Sequence, residues 1–246
     1  MKRLENKVAF VTGGSRGMGA AISKRLASEG ASVVLTYSKS PDKAEAVASE
    51  IKNNGGRALA IEADSADPQA VINAVNQTVA EFGKVDIIVN NAGIYIGKVF
   101  EEHTLDDYEQ LMGVNVRAVY AASLAAVKYL PAGGRIITIG SNMADNAVSQ
   151  QTTLYTMSKS ALSGFTRGLA RDLGPKGITV NLVQPGPINT DMNPSDTELA
   201  DFLRGRMALA EYGTGDDVAG LVTFLASEEG KFITGTAITI DGGLNA

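Results

Sequence analysis

The feature that most constrains this chain is a repeated order: a short, continuously apolar run, a turn of glycine or polar residues, then a segment with helical spacing. Val8-Ala9-Phe10-Val11 leads into Thr12-Gly13-Gly14-Ser15-Arg16-Gly17-Met18-Gly19, and residues 20–28 then place apolar side chains at helical intervals before Glu29-Gly30. Runs at 32–36, 58–61, 85–89, 135–140, 178–183 and 237–240 read as further strands, with helices over about 42–53, 68–82, 105–129, 154–173 and 215–226. Strands that are apolar at consecutive positions are buried on both faces, and strands alternating with helices form parallel units. The expected fold is therefore a single α/β domain over residues 1–246, a doubly wound parallel sheet of about seven strands with helices on both faces. Ligands of such sheets bind beyond the carboxyl ends of the strands, where the strand order reverses.

Composition narrows the chemistry. The chain has 246 residues and no cysteine, so disulfides, thiolate nucleophiles and cysteine metal sites are excluded; one histidine, His103, excludes a histidine-rich metal centre. His103 reads as a surface or helix-capping residue. A net charge of -5 argues against a nucleic-acid or anionic-membrane partner. No apolar run approaches the roughly 18 residues of a membrane span, and residues 2–7 lack the apolar centre of a secretory signal, so a cytoplasmic protein is expected.

Gly13, Gly17 and Gly19 follow a strand and open a helix. Glycines permit a tight turn and close backbone approach, and the free N–H groups of a helix N-terminus attract a pyrophosphate. A carboxylate at the end of the second strand would hold a ribose 2′-hydroxyl. That end reads Thr36-Tyr37-Ser38-Lys39 instead. Ser38, Lys39 and Arg16 can donate to a 2′-phosphate, so NADP(H) is favoured over NAD(H).

Tyr155 and Lys159 stand four residues apart in a helical segment and share a face. A free phenol has a pKa of about 10, and a cation about 4 Å away could lower it toward neutrality. The pair is a candidate proton donor and its charge partner.

Together, Thr12-Gly13-x-x-x-Gly17-x-Gly19, Asp64, Asn90-Asn91-Ala92-Gly93, Asn115, Ser141, Tyr155-x-x-x-Lys159, Pro185-Gly186 and Ile240-Asp241-Gly242-Gly243 resemble the ordered motif set of the short-chain dehydrogenase/reductase family. The resemblance covers essentially the whole chain and implies a Rossmann-type fold. The subgroup it is most similar to holds the 3-oxoacyl-[acyl-carrier-protein] reductases and related ketoreductases. It implies that Ser141 hydrogen-bonds a substrate carbonyl and Tyr155 protonates its oxygen as hydride arrives. Lys159 would lower the tyrosine pKa and bind the nicotinamide ribose, and Asn115 would hold a relay water. For the coenzyme the expected set is Gly13, Ser15, Gly17, Met18 and Gly19 in the glycine turn, with Arg16, Tyr37, Ser38 and Lys39 toward the 2′-phosphate, and the resemblance extends it. Asp64 and Ser65 fall at the adenine, Asn91, Ala92 and Gly93 at the adenine-side ribose and backbone, and Pro185, Gly186, Ile188 and Thr190 toward the nicotinamide. A homotetramer, or a homodimer, built on the 105–129 and 154–173 helices is the family expectation.

Several readings stay open. Asn115 could instead bridge backbone to a neighbouring strand, and Asp64 could cap a strand end. Ser141 lies 14 residues before Tyr155, where the family shows a spacing nearer 13, so the loop 142–154 carries one extra residue and is unusually polar. Residues 189–211 form the substrate lid, in which Met192, Leu199, Phe202, Leu203 and Met207 either pack as core or touch substrate. A second function is also open. Residues 167–175 and 183–188 are similar to bacterial members described as cyclic-di-GMP-binding biofilm dispersal mediators, in which a nucleotide-binding role would replace or accompany catalysis.

Overall fold

The structure is a computed structural model and describes residues 2–246. The strands are β1 Val8–Val11, β2 Ser32–Tyr37, β3 Arg57–Glu62, β4 Ile87–Asn90, β5 Arg135–Ile139, β6 Thr179–Pro185 and β7 Ala237–Ile240. They form one parallel sheet in the order β3-β2-β1-β4-β5-β6-β7. The order reverses between β1 and β4, so the crevice above that pair is where a ligand belongs.

The apolar runs are continuous because alternate side chains serve two cores. Ala9, Val11, Ile87, Val89, Ile137 and Ile139 point into one, and Phe10, Ile88 and Ile136 point into the other. The connecting helices are α1 Gly17–Ser28, α2 Pro41–Asn53, α3 Pro68–Phe82, α4 Leu105–Met112, α5 Ala118–Ala126, α6 Thr153–Leu173, α7 Glu198–Arg204 and α8 Gly215–Ala226. Ile22 and Leu26 of α1, Val47 of α2 and Val222 of α8 cover the first face. Val75 of α3, Ala125 of α5 and Leu173 of α6 cover the second. Each fully buried side chain of this size contributes about 1.5–3 kcal/mol of transfer free energy, which makes the sheet a stiff platform for the strand ends.

Four sequence expectations are corrected. The helix read over 105–129 is interrupted: α4 gives way to a π-turn at Gly113–Arg117 before α5 resumes. The widened turn retains helical spacing, which is why periodicity alone joined the two helices. β4 starts at Ile87 because Asp86 turns its side chain to the edge of β1, its Oδ2 accepting from Val8 N at 2.8 Å. β6 runs on to Pro185, since β7 continues alongside it and Gly186 N donates to Ile240 O at 2.9 Å. His103 is corrected as a surface residue only: its side chain is 5% exposed, while its backbone caps the 3-10 turn Phe100–Glu102 and Thr104 caps α4.

Among the described residues, no helix is long and apolar enough to cross a membrane, and no group of three or more His, Cys, Asp or Glu could hold a metal ion.

Candidate active site

The carboxyl ends of β1, β2 and β4 enclose a cleft of about 310 Å³ that runs from the glycine turn to Tyr155 and Lys159. Its floor is set by backbone geometry. Gly13 and Gly17 have φ of +65° and +51°, the left-handed region where a side chain is strained. A Cβ on Gly19 would overlap the Gly13 carbonyl oxygen and lie 2.5 Å from the Asn91 amide nitrogen. The turn therefore closes on itself at a spacing that only glycine permits.

Thr12, absent from the expected site, holds that turn to the next strand. Its hydroxyl accepts from Asn91 N and Ala92 N, both at 3.0 Å, while the Asn91 amide donates to Thr12 O at 2.9 Å and Gly13 O at 3.1 Å. The Asn91 side chain is thus committed to the turn, and its backbone lines the cleft. Asp64 likewise makes a local bond, accepting from Ala66 N at 2.9 Å, while remaining exposed at the cleft wall. Asp64 thus closes a local turn just past the end of β3 while lining the cleft.

Of the residues singled out in the sequence, Gly13, Ser15, Arg16, Gly17, Met18, Gly19, Tyr37, Ser38, Lys39, Asp64, Ser65, Asn91, Ala92, Gly93, Tyr155, Lys159 and Thr190 line this one cleft. Ser141, Asn115, Pro185, Gly186 and Ile188 do not. Ser141 is 6% exposed and acts on the Tyr155 phenol, while its hydroxyl oxygen accepts from Met143 N at 3.2 Å. Ile188 is 5% exposed, and its side chain packs into the core beside Gly213. Gly186 lies against Asp241, where a Cβ would overlap the Asp241 side chain, and Pro185 belongs to β6.

The Asn115 side chain bridges to backbone. Its Oδ1 accepts from Ile94 N at 2.9 Å, and its Nδ2 donates to Ile94 O at 3.0 Å and to Ser158 Oγ at 3.1 Å. It clamps the segment after β4 to α6, and the π-turn at residues 113–117 carries it there. π-turns of this kind recur at functional sites.

Tyr155 and Lys159 project from the first turns of α6 and share a face as expected, but the electrostatics depart from expectation. Lys159 Nζ is 5.6 Å from the Tyr155 ring centroid and donates to Ile139 O at 3.0 Å. Burial pushes the Tyr155 phenol above its usual pKa, and the Ser141 hydrogen bond only opposes this. Burial also lowers Lys159, to about 8. Desolvation is the largest cause for both groups.

The loop between Ser141 and α6 absorbs its extra residue locally. Ser141 caps a 3-10 turn at Asn142–Ala144, and Gln151 adopts φ of +64°, unusual for a residue other than glycine. Within residues 189–211, Leu203 and Met207 pack with Leu244 and Val148, whereas Met192, Leu199 and Phe202 are exposed and Met192 lines the cleft. These residues thus divide between core and surface.

The cleft fits a dinucleotide by its donor set. It offers a glycine turn at the α1 N-terminus, no carboxylate at the end of β2, and the exposed cations Arg16 and Lys39 beside Ser38. The model of the enoyl-(acyl carrier protein) reductase family matches residues 13–245. The chain belongs to the short-chain dehydrogenase/reductase family. A Burkholderia cenocepacia short-chain dehydrogenase crystallised with NADP is 55% identical, with 99% of this chain and all of that one covered at a TM-score of 0.98. An Escherichia coli cyclic-di-GMP-binding biofilm dispersal mediator protein is 44% identical over the full length of both chains. A versicolorin reductase of Emericella nidulans is 40% identical, covering 98% of this chain and 96% of its own. Short-chain dehydrogenase/reductases are oxidoreductases, and this chain has their fold throughout.

Two residues that the sequence did not single out also belong to this family site. Asp191 lines the cleft and lies 3.6 Å from Arg16 Nη1 and 3.5 Å from Lys43 Nζ. Tyr95 packs on Tyr155. Neither has a local signal, since the partners of both are far away in the chain.

Proposed function

We propose that the protein is an NADPH-dependent carbonyl reductase in which Tyr155 donates the proton. The observation that carries this reading is that Tyr155 and Lys159 stand at the end of a cleft whose other end is the glycine turn, with Ser141 acting on the Tyr155 phenol. NADPH supplies hydride when bound. Arg16, Lys39 and Ser38 hold its 2′-phosphate, the turn at Gly13–Gly19 takes its pyrophosphate, and Lys159 binds the nicotinamide ribose. Ser141 hydrogen-bonds the ketone oxygen and polarises it. Tyr155 gives its phenolic proton to that oxygen, and its raised pKa keeps it protonated at neutral pH, the state a general acid needs. The reverse reaction, oxidation of an alcohol, needs the phenolate and is favoured only as pH rises.

The test is oxidation of NADPH with a panel of ketones, comparing wild type with Tyr155→Phe. Loss of a general acid lowers kcat by about 10²–10⁴-fold. Retained NADPH binding in the variant would confirm that only the proton donor was removed, and undiminished turnover would take Tyr155 out of the mechanism.

A second reading is favoured by one relative: the Escherichia coli protein is named for binding cyclic-di-GMP. On this reading the phosphate-binding end of the cleft takes a cyclic dinucleotide. Competition between cyclic-di-GMP and NADPH in a binding titration, with no turnover of any ketone, would favour it over reduction. In either reading a homotetramer is proposed, because Tyr120 and Leu124 of α5 and Met157 of α6 are exposed apolar side chains on the helices expected to pair.

A further inference from the structure

Tyr95 is placed with unusual care for a residue that no motif names. Asn115 clamps both backbone groups of the preceding residue, Ile94, so the chain leaves β4 in a fixed direction. The Tyr95 ring then folds back over Gly97. A Cβ there would lie 2.7 Å from Tyr95 Cε1, 2.8 Å from Oη and 3.0 Å from Cζ, so the missing side chain is what seats the ring. From that seat the ring meets Tyr155 edge-on, with centroids 5.1 Å apart and planes at 71°. This is the favoured geometry of an aromatic pair. Its hydroxyl spans to the far wall of the pocket and donates to Gln151 O at 3.2 Å. Gln151 is the left-handed residue of the loop that carries the extra residue. Tyr95 is 44% exposed, which leaves part of the ring free.

We propose that Tyr95 is a positioning and specificity residue of the carbonyl pocket: its ring braces the Tyr155 ring, its hydroxyl ties the loop 142–152 in place, and its free face is the wall against which one substituent of the ketone must fit. The proposal rests on the reading of Tyr155 as proton donor. Gly97 is part of the same device, because it holds no residue of its own in the pocket and acts only by making room for the ring. The groups that face the phenol are Ser141 from the end of β5, Lys159 from α6 and Tyr95 from the segment after β4. Removing the Tyr95 ring admits water to the phenol and brings its pKa down toward the ordinary value.

The experiment is a double-mutant cycle on the full-length protein with Tyr95→Ala, Gly97→Ala, both together, and Tyr95→Phe. Gly97 has no left-handed φ, and the added Cβ meets a side-chain ring rather than backbone, so Gly97→Ala moves the ring without straining the chain. NADPH affinity is measured first, and an unchanged value shows that the coenzyme cleft is intact. Tyr95→Ala and Gly97→Ala are each expected to lower kcat by about 3- to 10-fold, the size of an aromatic pair's contribution. The double variant should be no worse than Tyr95→Ala alone, since residues acting through one contact do not add. Tyr95→Phe should recover most of the lost kcat while KM stays raised, because the ring is restored and the tie to Gln151 is not. An ultraviolet difference titration of the coenzyme-free protein, referenced to Tyr155→Phe, should show the Tyr155 midpoint falling by about half a unit or more in the two alanine variants. Additive losses in the double variant, or an unmoved midpoint in Tyr95→Ala, would overturn the proposal. If the wild type reduces no ketone, the reduction reading fails, yet the phenol titration still decides whether Tyr95 positions Tyr155.

Discussion

Two glycines show how differently the two halves of the cleft are built. At Gly19, in the coenzyme half, an added Cβ would overlap a backbone carbonyl oxygen. At Gly97, in the substrate half, it would meet the far end of a tyrosine ring. The first half is backbone closed upon backbone, held by Thr12 and Asn91 to the strand ends. The second is a set of side chains laid over loops: Tyr95 on Gln151, Val148 on the lid, and Met192 exposed at the edge. A backbone cradle recognises what every dinucleotide shares, a pyrophosphate. A side-chain wall can be changed one residue at a time without disturbing the sheet beneath it, and that is where selectivity for the proposed ketone would reside.

The sharpest way to break this contrast is Gly19→Ala. The new methyl cannot be relieved by rotating a side chain, because its neighbour is the Gly13 carbonyl, so the turn itself must open. Overpacking of this kind costs about 1–3 kcal/mol, and an NADPH affinity lower by roughly 10- to 100-fold is expected, with a fall in Tm. Fluorescence titration with NADPH measures it. An affinity within about twofold of wild type would mean that the turn is as adaptable as the substrate wall, and the contrast would collapse.

The same contrast explains what could be read from the sequence. The strands were legible because a strand buried on both faces is apolar at every position, and β1 and β4 are buried throughout. The glycine turn was legible because glycine is required at the close approach of Gly19 to Gly13. The break at residues 113–117 was not, since a π-turn shifts the hydrogen bonds without disturbing helical spacing. Asn115 was located correctly while its bridging and relay roles remained open, because its partners Ile94 and Ser158 lie on other elements. Lys159 was paired with Tyr155 by spacing, but spacing cannot weigh burial, and burial dominates both groups. Tyr95 and Asp191 act through contacts 56 and 148 residues distant in the chain, beyond the reach of any local pattern.

Lys159 belongs to the substrate-side helix yet lines the coenzyme cleft, and its burial makes it a measurable point of strain in the coenzyme-free protein. Its folded pKa of about 8 lies below the unfolded value of about 10.4. Between those two values the unfolded chain binds the extra proton, so stability rises with pH. The penalty is therefore full below pH 8 and disappears as pH climbs toward 10.4. Lys159→Met removes it, less what is lost from the bond to Ile139 O. The variant should melt a few degrees above wild type at pH 7, with the gap closing by about pH 10. Thermal melts of both proteins at the two pH values test this, and a gap independent of pH would show that the ammonium carries no such penalty.

The smallest effect is expected at Asp191, where the two halves of the cleft touch. Its carboxylate stands in the segment proposed as the substrate lid and lies within 3.6 Å of Arg16 Nη1 and 3.5 Å of Lys43 Nζ. Arg16 is one of the two cations available to a 2′-phosphate, so the lid and the coenzyme draw on the same charge. Both Asp191 and Arg16 have 60% exposed side chains, and ion pairs at such exposure are worth little. Asp191→Asn should release Arg16 and tighten NADPH binding by about 2- to 5-fold at low salt. Screening should erase the gain near 1 M salt, where the Debye length falls to about 3 Å. NADH lacks the 2′-phosphate and should change less, so the ratio of the two affinities carries the prediction. Weaker NADPH binding in the variant would reverse its sign, making Asp191 a strap that holds the lid over the coenzyme. The two halves would then be coupled through that one carboxylate rather than merely adjacent.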